Sequence, residues 1–248
     1  MIQTILTVRS NEALTESVYK MVLEGPLQGS FIAPGQFVDL KLPGRYLRRP
    51  ISVCDRTEDS LTLIYKIVGH GTEDMAAMEA GMELDVLCGL GNGFDPTLAA
   101  ERPLLIGGGV GIPPLYGLCK ALLAQGASPT VILGFNTAGE IFLKDAFETL
   151  LAGTDGEVLV TTVDGSAGIR GFVTDAMKDL DYTYFYACGP MPMFRAIEAS
   201  AVTGGQYSFE ERMGCGFGAC MGCSTQTTHG PVRICKEGPV LRREEIVW

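Results

Sequence analysis

Pro103-Leu-Leu-Ile106-Gly107-Gly108-Gly109-Val110-Gly111-Ile112-Pro113-Pro114 divides the chain into two kinds of sequence. Its first four residues read as a short apolar strand and its glycines as a turn. The run Leu115 to Gln125, stopped by Gly126, reads as a helix. Beyond it, strands and helices alternate: strand 130–135, helix 144–151, strand 158–162, helix 173–180, strand 182–187, helix 191–201. Such alternation implies a right-handed parallel sheet, and ligands bind such sheets at the carboxyl ends of the strands. Gly109-x-Gly111 permits a close turn, and amides at the helix start can cradle a pyrophosphate. A strict G-x-G-x-x-G fails because its sixth position is Pro114, so this turn alone leaves an ordinary glycine loop open. Cys188-Gly189-Pro190 is a second turn of this kind, after the strand that ends at Ala187. Taken singly, Cys188 reads equally well as a small buried residue.

Upstream, residues 1–98 read as short strands separated by turns: 5–8, 18–23, 36–42, 51–55, 61–68 and 82–87. Pro34-Gly35 and Pro43-Gly44 are turn signals. Residues 72–80 read as one short helix, capped by Thr72 and stopped by Gly81. The expected architecture is a six-stranded antiparallel barrel with one helix. Two stretches invite chemistry. In Arg48-Arg49-Pro50-Ile51-Ser52 an arginine fork suits a phosphate and Ser52 offers a donor and acceptor; a solvated strand start is the plain alternative. Ile64-Tyr65-Lys66 leads through Gly69-His70-Gly71-Thr72 to a helix start, where an anion is favoured; an ordinary turn and cap is the plain alternative. His70 reads as a surface turn residue.

Downstream lies the densest chemistry. Cys215, Cys220, Cys223 and Cys235 are spaced C-x4-C-x2-C-x11-C and make up half of the eight cysteines. This spacing matches four thiolates around a [2Fe-2S] core. Gly214, Gly216, Gly218 and Gly222 interleave with them and let backbone amides approach the sulfurs. A structural zinc site is the alternative, although zinc sites usually carry two comparable cysteine pairs. Disulfides fit poorly without a signal sequence. Strand 206–213 is expected to lead into this loop. Strands 224–228 and 232–235, joined by His229-Gly230-Pro231, are expected to return Cys235 to the other three. His229 reads as a turn residue, since a Rieske centre needs two ligating histidines. Cys54, Cys88 and Cys119 read as structural.

Taken together, Arg49-Pro50-x-Ser52, Gly71-Thr72, Gly107-Gly108-Gly109-Val110-Gly111 and Cys188-Gly189-Pro190 resemble the ferredoxin-reductase superfamily. The resemblance implies an FAD site. In it Arg49, Gly71 and Thr72 meet the pyrophosphate, and Pro50, Ile51 and Ser52 meet the flavin, with Ser52 at the isoalloxazine edge. Tyr65 would pack nearby, between Ile64 and Lys66. It also implies NAD at the two glycine turns, with Cys188 by the nicotinamide.

With Glu210-Glu-Arg-Met213, the four cysteines and Cys235-Lys-Glu-Gly-Pro-Val240 added, the whole chain closely resembles the electron-transfer subunits of type B dihydroorotate dehydrogenase. Leu241 stands where that family commonly has Phe, and His70 sits inside the glycine turn. The resemblance implies three parts: a flavin barrel over 1–98, a nucleotide domain over 99–212 and a [2Fe-2S] domain over 213–248. It implies electron relay from an FMN-containing catalytic subunit, in a heterotetramer of two plus two, through the cluster and FAD to NAD+. No acid or base catalyst is required of this chain. A flavin and iron–sulfur subunit of another complex, of sulfhydrogenase or ferredoxin:NADP+ oxidoreductase type, shares the barrel and glycine motifs. NAD is expected over NADP because Phe135-Asn-Thr-Ala-Gly-Glu140 offers no cation to a 2′-phosphate, and Glu140 would repel one.

The net charge of −10 argues against nucleic acid as a partner. No apolar run approaches the length of a membrane span, and the N-terminus lacks the apolar core of a signal sequence. A cytoplasmic protein is expected.

Overall fold

The computed structural model describes every residue except 28, 30–32 and 100. Alternation of apolar residues sets the first part. Leu6 and Val8, Met21 and Leu23, Val38 and Leu40, Leu61 and Leu63, and Leu84 and Val86 all point to one interior and are essentially inaccessible. Each contributes roughly 1.5–3 kcal/mol by burial. The strands are β1 (Ile2–Ala13), β2 (Val18–Glu24), β3 (Phe37–Lys41), β4 (Arg49–Arg56), β5 (Ser60–Lys66) and β6 (Glu83–Leu90). They close a barrel in the order β1-β2-β5-β4-β3-β6. β1 is longer than the sequence pattern suggests because it pairs with β2 on one side and β6 on the other, with an irregularity between Val8 and Ser10.

The helix expected over 72–80 lies earlier, as α1 (His70–Ala76). Thr72 does not cap it from outside. It sits in the first turn, where its hydroxyl accepts from the amides of Val68 and Gly69 and donates to the Gly69 carbonyl. The other end is held by Asn11 of β1, whose amide donates to the carbonyls of Met75, Ala76 and Met78.

The second part is a seven-stranded sheet. Its strands are β7 (Pro103–Gly108), β8 (Thr130–Phe135), β9 (Glu157–Thr162), β10 (Ile169–Arg170), β11 (Tyr184–Cys188), β12 (Gly205–Ser208) and β15 (Val240–Arg242). Their order is β10-β9-β8-β7-β11-β12-β15, and all neighbours are parallel except β12 and β15. Helices α2 (Pro113–Ala124), α3 (Lys144–Leu151), α4 (Val173–Met177) and α5 (Met191–Ser200) complete it. Leu105 of β7 packs in the same cluster as Leu115, Leu118 and Leu122 of α2, whereas Leu104 and Ile106 pack with Val173 of α4 and Phe194 and Ile197 of α5. Both faces are therefore covered, as a parallel sheet requires. The chain runs outward from β7 through β10 and then returns to lay β11 against β7. That reversal is where ligands bind in such sheets.

The last part is joined to both others. β13 (Ser224–Thr227) and β14 (Gly230–Arg233) form the expected hairpin, but Gly230 and Pro231 pair within the strand and the turn is at 228–229. The strand expected over 206–213 ends at Ser208, and the Phe209 amide adds one further bond to the Pro239 carbonyl. β15, absent from the sequence reading, then pairs with β12. Asn92, just after β6, donates to the carbonyls of Glu237 and Val240 and accepts from the Val240 amide. One core cluster holds Phe37 and Leu90 of the barrel, Leu104 and Ile106 of the sheet, and Cys223, Ile234 and Cys235. Among the described residues no helix is long and apolar enough to cross a membrane.

Candidate functional site

Three neighbouring features make up the site. The first is a parting of strands. β4 pairs with β5 only as far as Val53 and Leu63. Before that point Arg49, Pro50, Ile51 and Ser52 pair instead with Leu40, Asp39, Val38 and Phe37 of β3. Arg49–Ser52 and Ile64–Lys66 therefore flank the place where β4 and β5 separate. Ile64 faces the nucleotide-domain core, and Lys66 lines the cleft described below. Tyr65 is not brought to this face. Its ring is buried in the barrel, stacked on Tyr19, and its hydroxyl donates to Asn11. Arg49 lies over Gly71 so closely that a Cβ there would stand 2.6 Å from the guanidinium carbon. The cradle is thus an arginine fork seated on a residue without a side chain, which suits a phosphate-bearing ligand.

The second feature is a cleft of about 580 Å³ at the β7/β11 reversal. Gly108–Gly111 and Gly189–Pro190 line it, together with Lys66, Thr161 and Glu140. Gly107 and Cys188 sit just behind the lining and pair with each other across β7 and β11. Burial raises the Cys188 thiol far above its ordinary range. Gly111 packs directly onto the second turn: a Cβ there would lie 2.6 Å from the Gly189 nitrogen. The two turns singled out in the sequence are thus one surface. Thr161 is 1% exposed, and its hydroxyl has no hydrogen-bond partner among the described residues. An unpaired donor in a cleft lined by bare glycine backbone fits a dinucleotide. At the end of β8 the Glu140 carboxylate accepts from the Asn136 amide at 3.0 Å and its side-chain nitrogen at 2.9 Å.

The third feature is the cysteine loop. Among the described residues no three thiol, imidazole or carboxylate groups gather around a point suited to a single ion. The cysteines associate two and two through their backbone: the Cys220 amide reaches the Cys215 sulfur, and the Cys235 amide reaches the Cys223 sulfur. Backbone amides serve them. Ala219 and Cys220 donate to the Cys215 sulfur at 3.2 and 3.4 Å, Gly222 to Cys220 at 3.4 Å and Cys235 to Cys223 at 3.4 Å. Desolvation pushes the Cys215 thiol up, but the amides of Cys220, Phe217 and Ala219 and the Cys220 thiol outweigh it and bring it down to about 6. Burial, then Cys223, pushes Cys235 up to about 12. Two thiol pairs with amides aimed at sulfur suit a two-iron core, in which each iron takes two thiolates. Cys220 is exposed, whereas Cys223 and Cys235 are buried. Arg233 braces the loop: it donates to the Gly218 carbonyl at 2.6 Å and pairs with Glu237.

Several of these residues escaped the sequence reading. Thr161 and Arg233 carry no local signal. Asn136 is visible only as a neighbour of Glu140.

Comparison with known proteins adds the following. Residues 210–247 match the family model described as the iron-sulfur cluster binding domain of dihydroorotate dehydrogenase B. Residues 105–199 match the oxidoreductase NAD-binding domain. The dihydroorotate dehydrogenase B (NAD(+)) electron transfer subunit of Fusobacterium nucleatum is 40% identical over 255 residues, covering 97% of this chain and 96% of that protein. The same subunit of Bacillus pumilus is 39% identical, with the same coverage of 97% and 96%. Among solved structures, an NADH-dependent reduced ferredoxin-NADP oxidoreductase superposes with a TM-score of 0.88 at 30% identity, covering 99% of this chain and 90% of that one.

Proposed function

The chain belongs to the family of dihydroorotate dehydrogenase B (NAD+) electron-transfer subunits, and from that membership we propose that it relays electrons from a catalytic partner subunit to NAD+. In this reading the partner carries FMN and oxidises dihydroorotate in pyrimidine synthesis. Two copies of each subunit assemble, and the complex works in the cytoplasm. Residues 1–98, 99–212 and 213–248 serve FAD, NAD and the [2Fe-2S] cluster respectively. When bound, these groups supply a one-electron carrier, a flavin able to act in one- and two-electron steps, and a hydride acceptor.

The chain's own residues do the placing. Cys215 and Cys220 would hold one iron, and Cys223 and Cys235 the other. Arg49 and the Gly71–Thr72 turn would hold the FAD pyrophosphate, with Pro50, Ile51, Ser52, Ile64 and Lys66 around the flavin and Tyr65 offering its backbone. Gly107–Gly111 and Cys188–Pro190 would seat the nicotinamide dinucleotide. Glu140, at the end of the second strand, suits a ribose hydroxyl and opposes a 2′-phosphate. Exposed Cys220, flanked by exposed Phe217 and Met221, is the face offered to the partner.

The observation that carries this reading is the double role of Phe37. It registers opposite Ser52 and shares one core cluster with Cys223 and Cys235. A single strand thus lies between the proposed flavin edge and the proposed cluster. A second reading, as a subunit of another NAD(P)-linked complex, is favoured by the 30% identity to the ferredoxin-NADP oxidoreductase structure. Co-purification with a spectrum, followed by a dihydroorotate/NAD+ assay, tests the two. A flavin and iron–sulfur protein whose partner gives dihydroorotate-dependent NADH supports the first; a partner without that activity supports the second.

A further inference from the structure

Asp39 is the middle residue of β3. Its neighbours Val38 and Leu40 turn into the barrel core, so Asp39 faces outward beside Phe37. It is nevertheless only 2% exposed. The cysteine loop covers it: a Cβ on Gly216 would collide with its carboxylate and lie 3.2 Å from Cγ. Gly216 follows Cys215 directly, and its φ of 75° is the left-handed value that favours glycine.

Among the described residues no cation forms an ion pair with this carboxylate. Arg48 is committed to Asp85 at 2.9 Å and otherwise donates to the backbone carbonyls of Asp39 and Asp85. Arg49 donates to the carbonyls of Leu47 and Arg48. Oδ1 of Asp39 is buried with no hydrogen-bond partner among the described residues. Burial pushes the carboxyl up to about 7; Arg48 and Arg49 pull it down, and Cys215 adds to the rise. An unpaired carboxylate in such a place is costly, and a buried unsatisfied group calls for an explanation. Packing does not supply one, since an apolar residue would cover the seam as well.

We propose that Asp39 is a tuning residue for the iron–sulfur cluster: its carboxylate, when ionised, places a negative charge behind the Cys215 loop and lowers the cluster's reduction potential. The inference rests on the reading of the four cysteines as cluster ligands. Cluster potential depends on local charge and solvent exposure. A negative charge in a medium of low dielectric disfavours an added electron strongly. Asp39 registers opposite Pro50, on the strand pair that carries the proposed flavin residues. The charge therefore sits between the two proposed redox sites, directly behind the loop that would hold the cluster.

Asp39→Asn removes the charge and keeps the shape. An EPR-monitored redox titration of the full chain, well above neutral pH, is expected to show a more positive cluster potential. We expect at least a tenfold change in the reduced-to-oxidised equilibrium, about 59 mV for one electron, with iron and FAD contents unchanged. Asp39→Glu, which keeps the charge, is expected to stay with the unsubstituted protein. An unchanged or more negative potential in an iron-loaded Asp39→Asn protein overturns the role of Asp39. If that variant does not assemble its cluster, Asp39→Ser, neutral and smaller, decides by the same criterion. An unsubstituted protein that holds no iron defeats the cluster reading itself, a different outcome from an iron-loaded protein whose potential does not move.

Discussion

Gly71→Ala separates binding from stability because its two consequences have opposite signs. Gly71 lies inside α1, where alanine is favoured over glycine by up to about 1 kcal/mol. Its φ is not in the left-handed region, so the backbone accepts the change. The flavin-free protein should therefore be as stable as the parent or slightly more so. The added methyl, however, would stand 2.6 Å from the Arg49 guanidinium carbon. A long side chain relieves such a clash by swinging away, at little cost to folding. What is lost is the fork aimed at the proposed pyrophosphate site. A hydrogen bond to a charged group is worth about 1.5–3 kcal/mol, so FAD affinity should fall roughly ten- to a hundredfold. Quenching of flavin fluorescence on titrating the FAD-depleted protein measures the affinity, and thermal unfolding of the same preparation measures stability. Arg49→Lys should weaken FAD as well, because a lysine keeps the charge without the fork. Unchanged FAD affinity in Gly71→Ala would refute the cradle. A loss of affinity matched by a loss of flavin-free stability would show that the residue acts only through the fold.

Other tests reach the remaining sites. Cys220→Ser should lose the cluster, read from iron content and the visible spectrum, yet retain FAD and NADH-driven dye reduction; loss of FAD as well would contradict separate sites. Glu140→Gln should lower the preference for NAD+ over NADP+, measured as a ratio of kcat/KM in dye reduction, by roughly fivefold. That matches the repulsion of about 1 kcal/mol between unit charges 4 Å apart in water. Asp39 should also make stability depend on pH. Its folded value of about 7 exceeds the ordinary 3.8, so the folded state binds the extra proton and stability falls as pH rises through that window. The upper limit is on the order of 4 kcal/mol. Urea unfolding should show Asp39→Asn gaining on the parent between about pH 4 and pH 7 and holding the gain above it; a pH-independent difference would contradict the unpaired carboxylate.

What could be read from sequence followed from how local its cause was. The cysteine spacing is itself a chemical constraint, and the βα alternation after Pro103 states the sheet directly. Barrel strands showed as alternating apolar residues. Tyr65 could have been placed better, because a strand of period two must turn it away from Ile64 and Lys66. The cap lies three residues before Thr72, at Gly69, and the Thr72 hydroxyl reaches back to it from inside the first turn. β15 was invisible: three residues have no periodicity, and only the β12 edge makes them a strand. Asp39 shows the deeper difficulty. In Phe37-Val-Asp-Leu-Lys41 it looks like the solvent side of a strand, and only a loop arriving from Gly216 buries it.

The pairing of β12 with β15 has an architectural consequence. Ser208 registers opposite Val240, and the Phe209 amide closes on the Pro239 carbonyl. Residues 209–239 therefore form the enlarged tip of an antiparallel hairpin at the margin of the sheet. Lengthening such a tip costs little, because closure entropy grows only with the logarithm of length. The cysteine segment is carried by a framework that closes on both sides of it, so its length and contents can change without altering the route of the remaining backbone.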